Sequence, residues 1–187
     1  MVTNLAEIEI KQFTRNESNN TTSIESFSFR YFLPVDGEVI NSIGNGLCVL
    51  IGMKKGDGAV DMEYIARKIL NIKLFDDDKG KKWGASVAYK KYEILCISQF
   101  TLYHVLKGNK LNFHKAMPAQ ESELFYMNFL ATLRRKYIPE LIKDGKFGAM
   151  MEVSIQNSGP VTLEIESPAR LICNDEKFNN TEDESVF

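Results

Sequence analysis

Several hydroxyl and amide side chains follow one apolar run of the sequence and are the best candidates for chemistry. Residues 92–98 have the length and composition of a buried strand, and Ser98, Gln99 and Thr101 stand at its end. Strand alternation is expected to turn Phe100 to the opposite face, so that the three polar groups could converge. Converging groups of this kind can hydrogen-bond a reacting substrate. Serine and threonine at strand ends also commonly satisfy backbone groups, so a purely structural role stays open.

The sequence lacks the patterns of several other catalytic classes. Neither His104 nor His114 has the spacing typical of metal ligands, and there is no C-x-x-C pair. Glycine-rich phosphate loops, dinucleotide fingerprints and the G-x-S-x-G nucleophile elbow are also missing. The acidic run at residues 76–78 lies among lysines, which is typical of a solvated turn rather than of a sheltered glycosidase pair. We therefore expect chemistry without a metal ion or an organic cofactor.

Length and composition favour a single soluble domain. The chain has 187 residues, of which 44% are apolar, and this is enough material for one core. A formal net charge of −2 argues against a protein that grips long stretches of phosphate backbone, but it does not exclude a small RNA end. The 3 cysteines are expected to be core thiols in a reducing compartment. Because no stretch approaches the ~20 apolar residues of a membrane span and no secretory pattern is present, we expect a cytoplasmic protein.

Hydrophobic periodicity predicts an α+β domain in which strands outnumber helices. One helix is predicted over residues 59–71, with Asp57 as its cap and Val60 on its apolar face. A stronger helix is predicted over residues 120–137. Strands are predicted at residues 8–13, 27–32, 46–52, 72–75, 92–98, 150–156 and 161–166.

Two hexapeptides at predicted strand ends resemble the signature motifs of the D-aminoacyl-tRNA deacylases. They are Ser98-Gln99-Phe100-Thr101-Leu102-Tyr103 and Asn157-Ser158-Gly159-Pro160-Val161-Thr162. In isolation the second would be an ordinary turn between strands, but two independent hexapeptides together are highly specific. Stretches within residues 66–71, 107–110, 113–118 and 144–149 resemble the family too, and the likeness covers residues 35–168. Their style is closest to the eukaryotic cytosolic branch.

The resemblance implies a homodimer of compact, barrel-like α+β subunits, each with a mixed or antiparallel sheet and two main helices. Family members hydrolyse the ester that joins a D-amino acid, or glycine, to the 3′-terminal adenosine of tRNA. Each site receives a Gly-cis-Pro element of the opposite subunit, here Gly159 and Pro160, which excludes L-amino acids. An X-Pro bond adopts the cis form at a cost of only about 0.5–1 kcal/mol, and packing can then aim the neighbouring carbonyls in one direction.

The resemblance places catalysis in the segment formed by Ser98, Gln99, Phe100 and Thr101. Because the ester is already activated, the site need only place a water and stabilise the oxyanion, for which backbone N–H groups near Phe100 and Thr101 are candidates. Thr101 as a covalent nucleophile is the alternative, although no histidine or lysine stands beside it to act as its base. Assistance from the 2′-OH of the tRNA would make the reaction tolerant of side-chain loss.

Further residues receive roles from the same resemblance. Ala116 and Phe147 are expected to line the adenosine pocket, with Met151 near the site, although ordinary packing is an equally open role. The acceptor stem of the tRNA is expected to contact a basic loop, through Lys107, Asn109 and Lys110. A basic helix face at residues 134–136 is a weaker candidate for the same contact.

The N-terminal part departs from the family's pattern. Family members begin with a strand of the type Val-Val-Gln-Arg-Val, whose Arg lies close to the Gly-Pro element. Aligning residues 8–15 with that strand puts Gln12 in place of the Arg, whereas an ungapped alignment puts Phe27 there. We therefore divide the chain into an atypical N-terminal part (1–34), a deacylase domain (35–168) and an acidic tail that is expected to be disordered (169–187).

Two other functions stay open. A non-catalytic protein that binds nucleic acid could keep the same fold. A sister deacylase, which clears misattached L-alanine and has a trans Gly-Pro bond, is the related enzyme. Val161 after the Gly-Pro pair favours the D-specific branch.

Overall fold

A computed structural model describes residues 7–13, 30–32, 40–154 and 161–168. Within these ranges the strands are β1 (Glu7–Phe13), β2 (Arg30–Phe32), β3 (Gly46–Ile51), β4 (Lys73–Phe75), β5 (Ala85–Ser86), β6 (Glu93–Ser98), β7 (Val105–Lys107), β8 (Lys110–Asn112), β9 (Ile142–Asp144), β10 (Glu152–Ser154) and β11 (Thr162–Glu166). The helices are α1 (Ala59–Asn71), α2 (Val87–Lys90) and α3 (Ala119–Lys136), and single 3-10 turns occupy Phe100–Tyr103 and Pro139–Leu141.

Five strands form one mixed sheet in the spatial order β11-β1-β3-β6-β9. β1 is antiparallel to both of its neighbours, whereas β3 and β9 are both parallel to β6. Parallel neighbours need a crossover connection, and the chain supplies α1 between β3 and β6 and α3 between β6 and β9. In the described part of the chain β11 and β9 are the edges of this sheet, so its barrel-like closure stays a prediction.

The N-terminal strand lies inside the main sheet. β1 pairs with β11 on one side and with β3 on the other, where Gln12 is the partner of Leu47. The position of the strand favours the alignment that compares residues 8–15 with the family's first strand. The competing alignment uses the segment around Phe27. Of that segment the structure describes only β2, which pairs with β10 in a separate two-stranded sheet.

α1 covers the sheet with an apolar face, as its periodicity predicts. Ile65 and Ile69 are buried in the same cluster as Leu47 and Val49 of β3. Val60 is 66% exposed, so its predicted place on the buried face is wrong. It stands in the first turn of the helix, one position before the buried Asp61, and faces away from the buried side.

The start of α1 also corrects the predicted cap. Gly58 is the N-cap residue, and its N–H donates to Asp61 Oδ2 at 2.8 Å. The Asp57 carboxylate instead accepts the backbone N–H of Lys54 at 2.8 Å. Asp61 is buried, and it also accepts the Ser167 hydroxyl at 2.9 Å, so one carboxylate joins the helix start to the chain after β11.

α3 packs in the same core cluster as α1, and its predicted extent of 120–137 is confirmed to within one residue. Phe129, Leu130 and Leu133 are buried, as the apolar stripe predicts. The basic face of this helix is engaged by acidic partners. Arg134 pairs with Asp144 at 2.7 Å, and the next two basic residues both pair with Glu63. Because these pairs are partly exposed, each contributes little to stability.

Short elements were missed by the periodicity. The predicted basic loop at residues 107–110 is a hairpin, in which Lys107 of β7 pairs with Lys110 of β8. Gly108 makes its turn with a φ of +61°, a conformation that glycine adopts without strain. β9 has only three residues, too few for a pattern, and it is held by its pairing with β6. None of the helices in the described ranges combines the length and apolar character that crossing a bilayer requires.

The Cys96 carbonyl of β6 ties α3 to the chain that follows β9. This oxygen accepts the Tyr126 hydroxyl of α3 at 2.9 Å and the Gly145 N–H at 3.1 Å. The Tyr126 ring, which is buried, lies 5.8 Å from the ring of Phe147. One backbone acceptor therefore fixes where α3 and residues 145–147 lie relative to the end of β6.

We predict that Tyr126→Phe lowers the free energy of unfolding by about 1 kcal/mol, because it removes one buried hydrogen bond and little volume. It should also speed amide hydrogen exchange at Gly145, whose N–H shares the same acceptor. Denaturation in urea and exchange followed by NMR measure the two effects. Tyr137→Phe is the matched control, because that hydroxyl reaches Tyr92 O at 3.0 Å instead. Unchanged Gly145 exchange in Tyr126→Phe, or an equal change in the control, would contradict this coupling.

Candidate active site

A cavity of about 650 Å³ opens where β3 and β6 end. Because these strands are parallel, with Ile51 opposite Ser98, the segments that follow them leave the sheet at the same edge. The Gln99 N–H donates to Ile51 O at 2.8 Å and holds the two exits together. Four segments line the cavity: Met53 and Lys55; Ile97, Ser98, Gln99 and Phe100; Phe113, Ala116, Met117, Pro118, Ala119 and Ser122; and Phe147, Gly148, Ala149, Met151 and Val153.

The motif after β6 supplies one wall of the cavity. Ser98, Gln99 and Phe100 all line it. The predicted alternation beyond the strand is wrong for Phe100, because the strand ends at Ser98 and a 3-10 turn begins at Phe100, which brings its ring to the cavity wall. The ring packs edge-on against Phe113, with a centroid distance of 5.1 Å, and 56% of Phe100 remains exposed.

Thr101 is not among the residues that line the cavity. Its hydroxyl accepts a hydrogen bond from Gln99 Nε2 at 2.5 Å. The His104 ring lies nearby, but its Nδ1 contacts the carbonyl oxygen of Thr101, at 3.1 Å, rather than the hydroxyl. A threonine nucleophile needs a base on its hydroxyl, so this geometry favours a positional role for the Thr101 side chain.

The residues predicted for the adenosine pocket, Ala116 and Phe147, lie together with Met151, which is predicted near the site. Ala116, Phe147 and Met151 all line the cavity, although Ala116 is distant from the other two in the sequence. Phe147 is followed by Gly148, whose φ of +68° is one that L side chains rarely adopt. Arg134 donates a hydrogen bond to the carboxylate of Asp144, the last residue of β9, and so stabilises the start of the segment that carries Phe147.

Two cysteines can be excluded as nucleophiles. Cys48 and Cys96 are both buried cysteines that form no disulfide bond, as expected of core thiols. Burial raises the pKa of the Cys96 thiol far above its usual range, although the residue lies only two positions before Ser98. A neutral, inaccessible thiol is a packing group. Cys173 lies outside the described residues.

The predicted tRNA-binding residues do not line the cavity. Lys107, Asn109 and Lys110 are exposed on the β7–β8 hairpin, which follows the Phe100–Tyr103 turn. Gly159 and Pro160 lie outside the described residues.

Sequence reasoning missed Lys55 and Phe113 as parts of the cavity wall. The stretch around Phe113 resembles the family, but the resemblance gives Phe113 no role. The position of Lys55 follows from the topology alone. It comes after β3, which is parallel to β6, so the chain leaves the sheet there at the same edge as the motif after β6.

Comparisons with known proteins identify the family of the chain. The family model "D-Tyr-tRNA(Tyr) deacylase" matches residues 32–166. "D-aminoacyl-tRNA deacylase 1" of Homo sapiens is 58% identical over 140 residues, which are 75% of this chain and 67% of that protein. "D-aminoacyl-tRNA deacylase" of Dictyostelium discoideum is 51% identical over 134 residues, which are 71% of this chain and 89% of that protein.

Two solved structures are similar as well. One, named "c-Myc DNA Unwinding Element Binding Protein", has a TM-score of 0.76 and 48% identity, covering 87% of this chain and 99% of that one. The other, described as "a probable eukaryotic D-amino acid tRNA deacylase", has a TM-score of 0.70 at 14% identity, covers 87% of this chain and 100% of that one, and shows the fold alone. From the family match and the identities to its curated relatives, the chain belongs to the D-Tyr-tRNA(Tyr) deacylase family.

Proposed function

We propose that this protein hydrolyses the ester bond of D-aminoacyl-tRNA, releasing free D-amino acid and tRNA, and so proofreads chirality in translation. The observation that carries the proposal is the cavity at the ends of β3 and β6, which gathers the motif residues Ser98, Gln99 and Phe100 with Ala116 and Phe147. Its volume of about 650 Å³ suits a nucleoside that carries one amino acid. Because translation in the cytoplasm supplies such a substrate, we place the reaction there.

In the proposed mechanism a water attacks the ester carbonyl, and backbone N–H groups stabilise the oxyanion. Phe100 and Thr101 begin a 3-10 turn, where the first N–H groups have no partner within the turn. These groups are held in place by the Gln99 contacts to Ile51 and to Thr101. Fixed donors of this kind favour the developing charge without reorganisation. The 2′-OH of the tRNA assists the water, so the enzyme needs no side-chain base.

Selectivity for D-amino acids is assigned to a homodimer, in which Gly159 and Pro160 of one chain face residues 98–101 of the other. The exposed side of Phe100 leaves room for such a partner. Carbonyl oxygens of the Gly-Pro element would bind the substrate ammonium and leave no space for an L side chain. Glycine passes this filter because it has no side chain. An L-amino acid is rejected because its side chain clashes with this element and leaves polar groups unpaired. The rejection does not depend on which side chain the amino acid carries.

The acceptor stem is assigned to the β7–β8 hairpin. Lys107, Asn109 and Lys110 are exposed there, and the two lysines stand opposite each other across the turn. Phosphate contacts from such residues fix the position of an RNA without reading its sequence. This surface is small, in keeping with the formal net charge of −2 and with a ligand that is only the end of an RNA.

Binding of nucleic acid without catalysis is the second candidate function. The observation in its favour is the 48% identical solved structure, which is named as a binder of a DNA unwinding element. Hydrolysis assays separate the two functions, because a binding protein would retain nucleic acid and leave the ester intact.

We predict that the purified chain hydrolyses D-aminoacyl-tRNA and glycyl-tRNA at least about 100-fold faster than the matched L-aminoacyl-tRNA. Release of radiolabelled amino acid measures the rate, beside the molar mass in solution. A monomer should be inactive, because it lacks the partner's Gly-Pro element. Hydrolysis confined to L-alanyl-tRNA would identify the sister deacylase, and no hydrolysis by a folded dimer would contradict the proposal.

Thr101→Ala is predicted to keep the rate within about 10-fold of the parent, because the threonine hydroxyl positions a neighbour rather than attacking the ester. The same release assay measures the rate, and Thr101→Ser is the matched variant that retains a hydroxyl. Complete loss in the alanine variant, with activity kept in the serine variant and with unchanged unfolding in urea, would contradict this prediction and show that the reaction requires the hydroxyl.

A further inference from the structure

The wall of the cavity, as far as the structure describes it, carries one charged side chain. Among the described residues of the wall, Lys55 alone carries a charge, and the others are apolar or bear neutral hydroxyl and amide groups. Lys55 is exposed, which places it where the cavity meets solvent. The interior therefore suits a neutral ligand group, and the rim suits an anion.

A second lysine lies across from the first. Lys54 and Ala116 form an isolated antiparallel bridge, and the Lys55 N–H donates to Lys115 O at 3.1 Å. On the other side of the bridge the Met117 N–H donates to Met53 O at 2.9 Å. These bonds set Lys55 and Lys115 opposite each other on a short two-stranded ribbon. Strand alternation puts both lysines on the same face as Met53 and Met117, which line the cavity, so Lys115 stands beside the cavity wall without being part of it.

Within the described residues, no acidic side chain forms an ion pair with either lysine. None of the ion pairs in the described part of the chain involves Lys55 or Lys115; they engage Lys90 and the basic end of α3. Asp57 belongs to the same turn as Lys55, but its carboxylate accepts the Lys54 backbone N–H. Like charges that face each other across a ribbon are unfavourable, and an anion between them removes that cost.

We propose that Lys55 and Lys115 form a phosphate-binding subsite at the rim of the cavity. Its ligand is the phosphate on the 5′ side of the nucleoside that occupies the cavity, which in the proposed function is the terminal adenosine of the tRNA. A nucleoside is neutral, and the charge of a nucleotide lies on its phosphate. This distribution matches a neutral cavity interior beside two cations. Lysine ammonium groups bind phosphate as mobile point charges and need no fixed fork geometry. The identity of the nucleoside rests on the proposed function, whereas the pairing of phosphate with the two lysines does not.

The test compares 5′-AMP with adenosine, using calorimetric or NMR titration of the full chain. At low salt the parent should bind 5′-AMP roughly 3- to 10-fold more tightly than adenosine, and this advantage should shrink as salt is added. The double variant Lys55→Gln, Lys115→Gln should bind the two ligands equally, with adenosine affinity unchanged. The double variant Lys79→Gln, Lys82→Gln is the matched control, because it also removes two exposed charges, from the loop between β4 and β5, outside the cavity wall.

Three outcomes would overturn the subsite: a 5′-AMP advantage that survives in the double variant, a parent that does not prefer 5′-AMP, or an equal loss of affinity for both ligands in the double variant. The last result would mean that the substitutions disturb the pocket itself. Failure of the proposed function is a different result. A chain that prefers 5′-AMP through these lysines but hydrolyses no D-aminoacyl-tRNA would keep the subsite and lose the deacylase proposal.

Discussion

The parallel pairing of β3 with β6 is the interaction on which the rest of the site depends. It brings the ends of two strands to the same edge of the sheet, and there the segments after Ile51 and Ser98 form adjoining walls of the cavity. The pairing begins at Gly46, where a Cβ would collide with the carbonyl oxygen of Glu93. Only glycine allows so close an approach, so this residue helps set the register that carries Ser98 to its place.

A second layer of contacts converts that edge into a cavity. The Cys96 carbonyl accepts hydrogen bonds from Tyr126 and Gly145, so the same strand that delivers the motif also positions the segment with Phe147. Buried acceptors of this kind are costly when left unpaired, which makes the arrangement rigid. Polar groups with fixed directions are what ester hydrolysis requires when the substrate itself is activated. The fold thus supplies orientation, and we propose that the RNA supplies part of the chemistry.

The sequence predicted the parts of this protein that have strong periodicity or a specific motif. α1, α3 and the central strands follow from hydrophobic spacing, and the motif residues Ser98, Gln99 and Phe100 do line the cavity. Lys55 was missed because its place depends on which strand is parallel to β6, and strand pairing is a tertiary property. The Asp57 cap was wrong because two acidic residues near the helix start compete for backbone N–H groups, and spacing alone does not say which group each one reaches. Gly159 and Pro160 remain predictions from resemblance.

The central claim is that the cavity at the ends of β3 and β6 holds the aminoacylated adenosine. A crystal structure with a D-aminoacyl adenosine analogue, joined through a non-hydrolysable amide at the 3′ position, tests it most directly. We predict that the nucleoside lies against Phe147 and Ala116, with the carbonyl oxygen of the analogue within hydrogen-bond distance of the N–H groups of Phe100 and Thr101. An analogue bound outside this cavity, or one inside it with its carbonyl turned away from those N–H groups, would contradict the account.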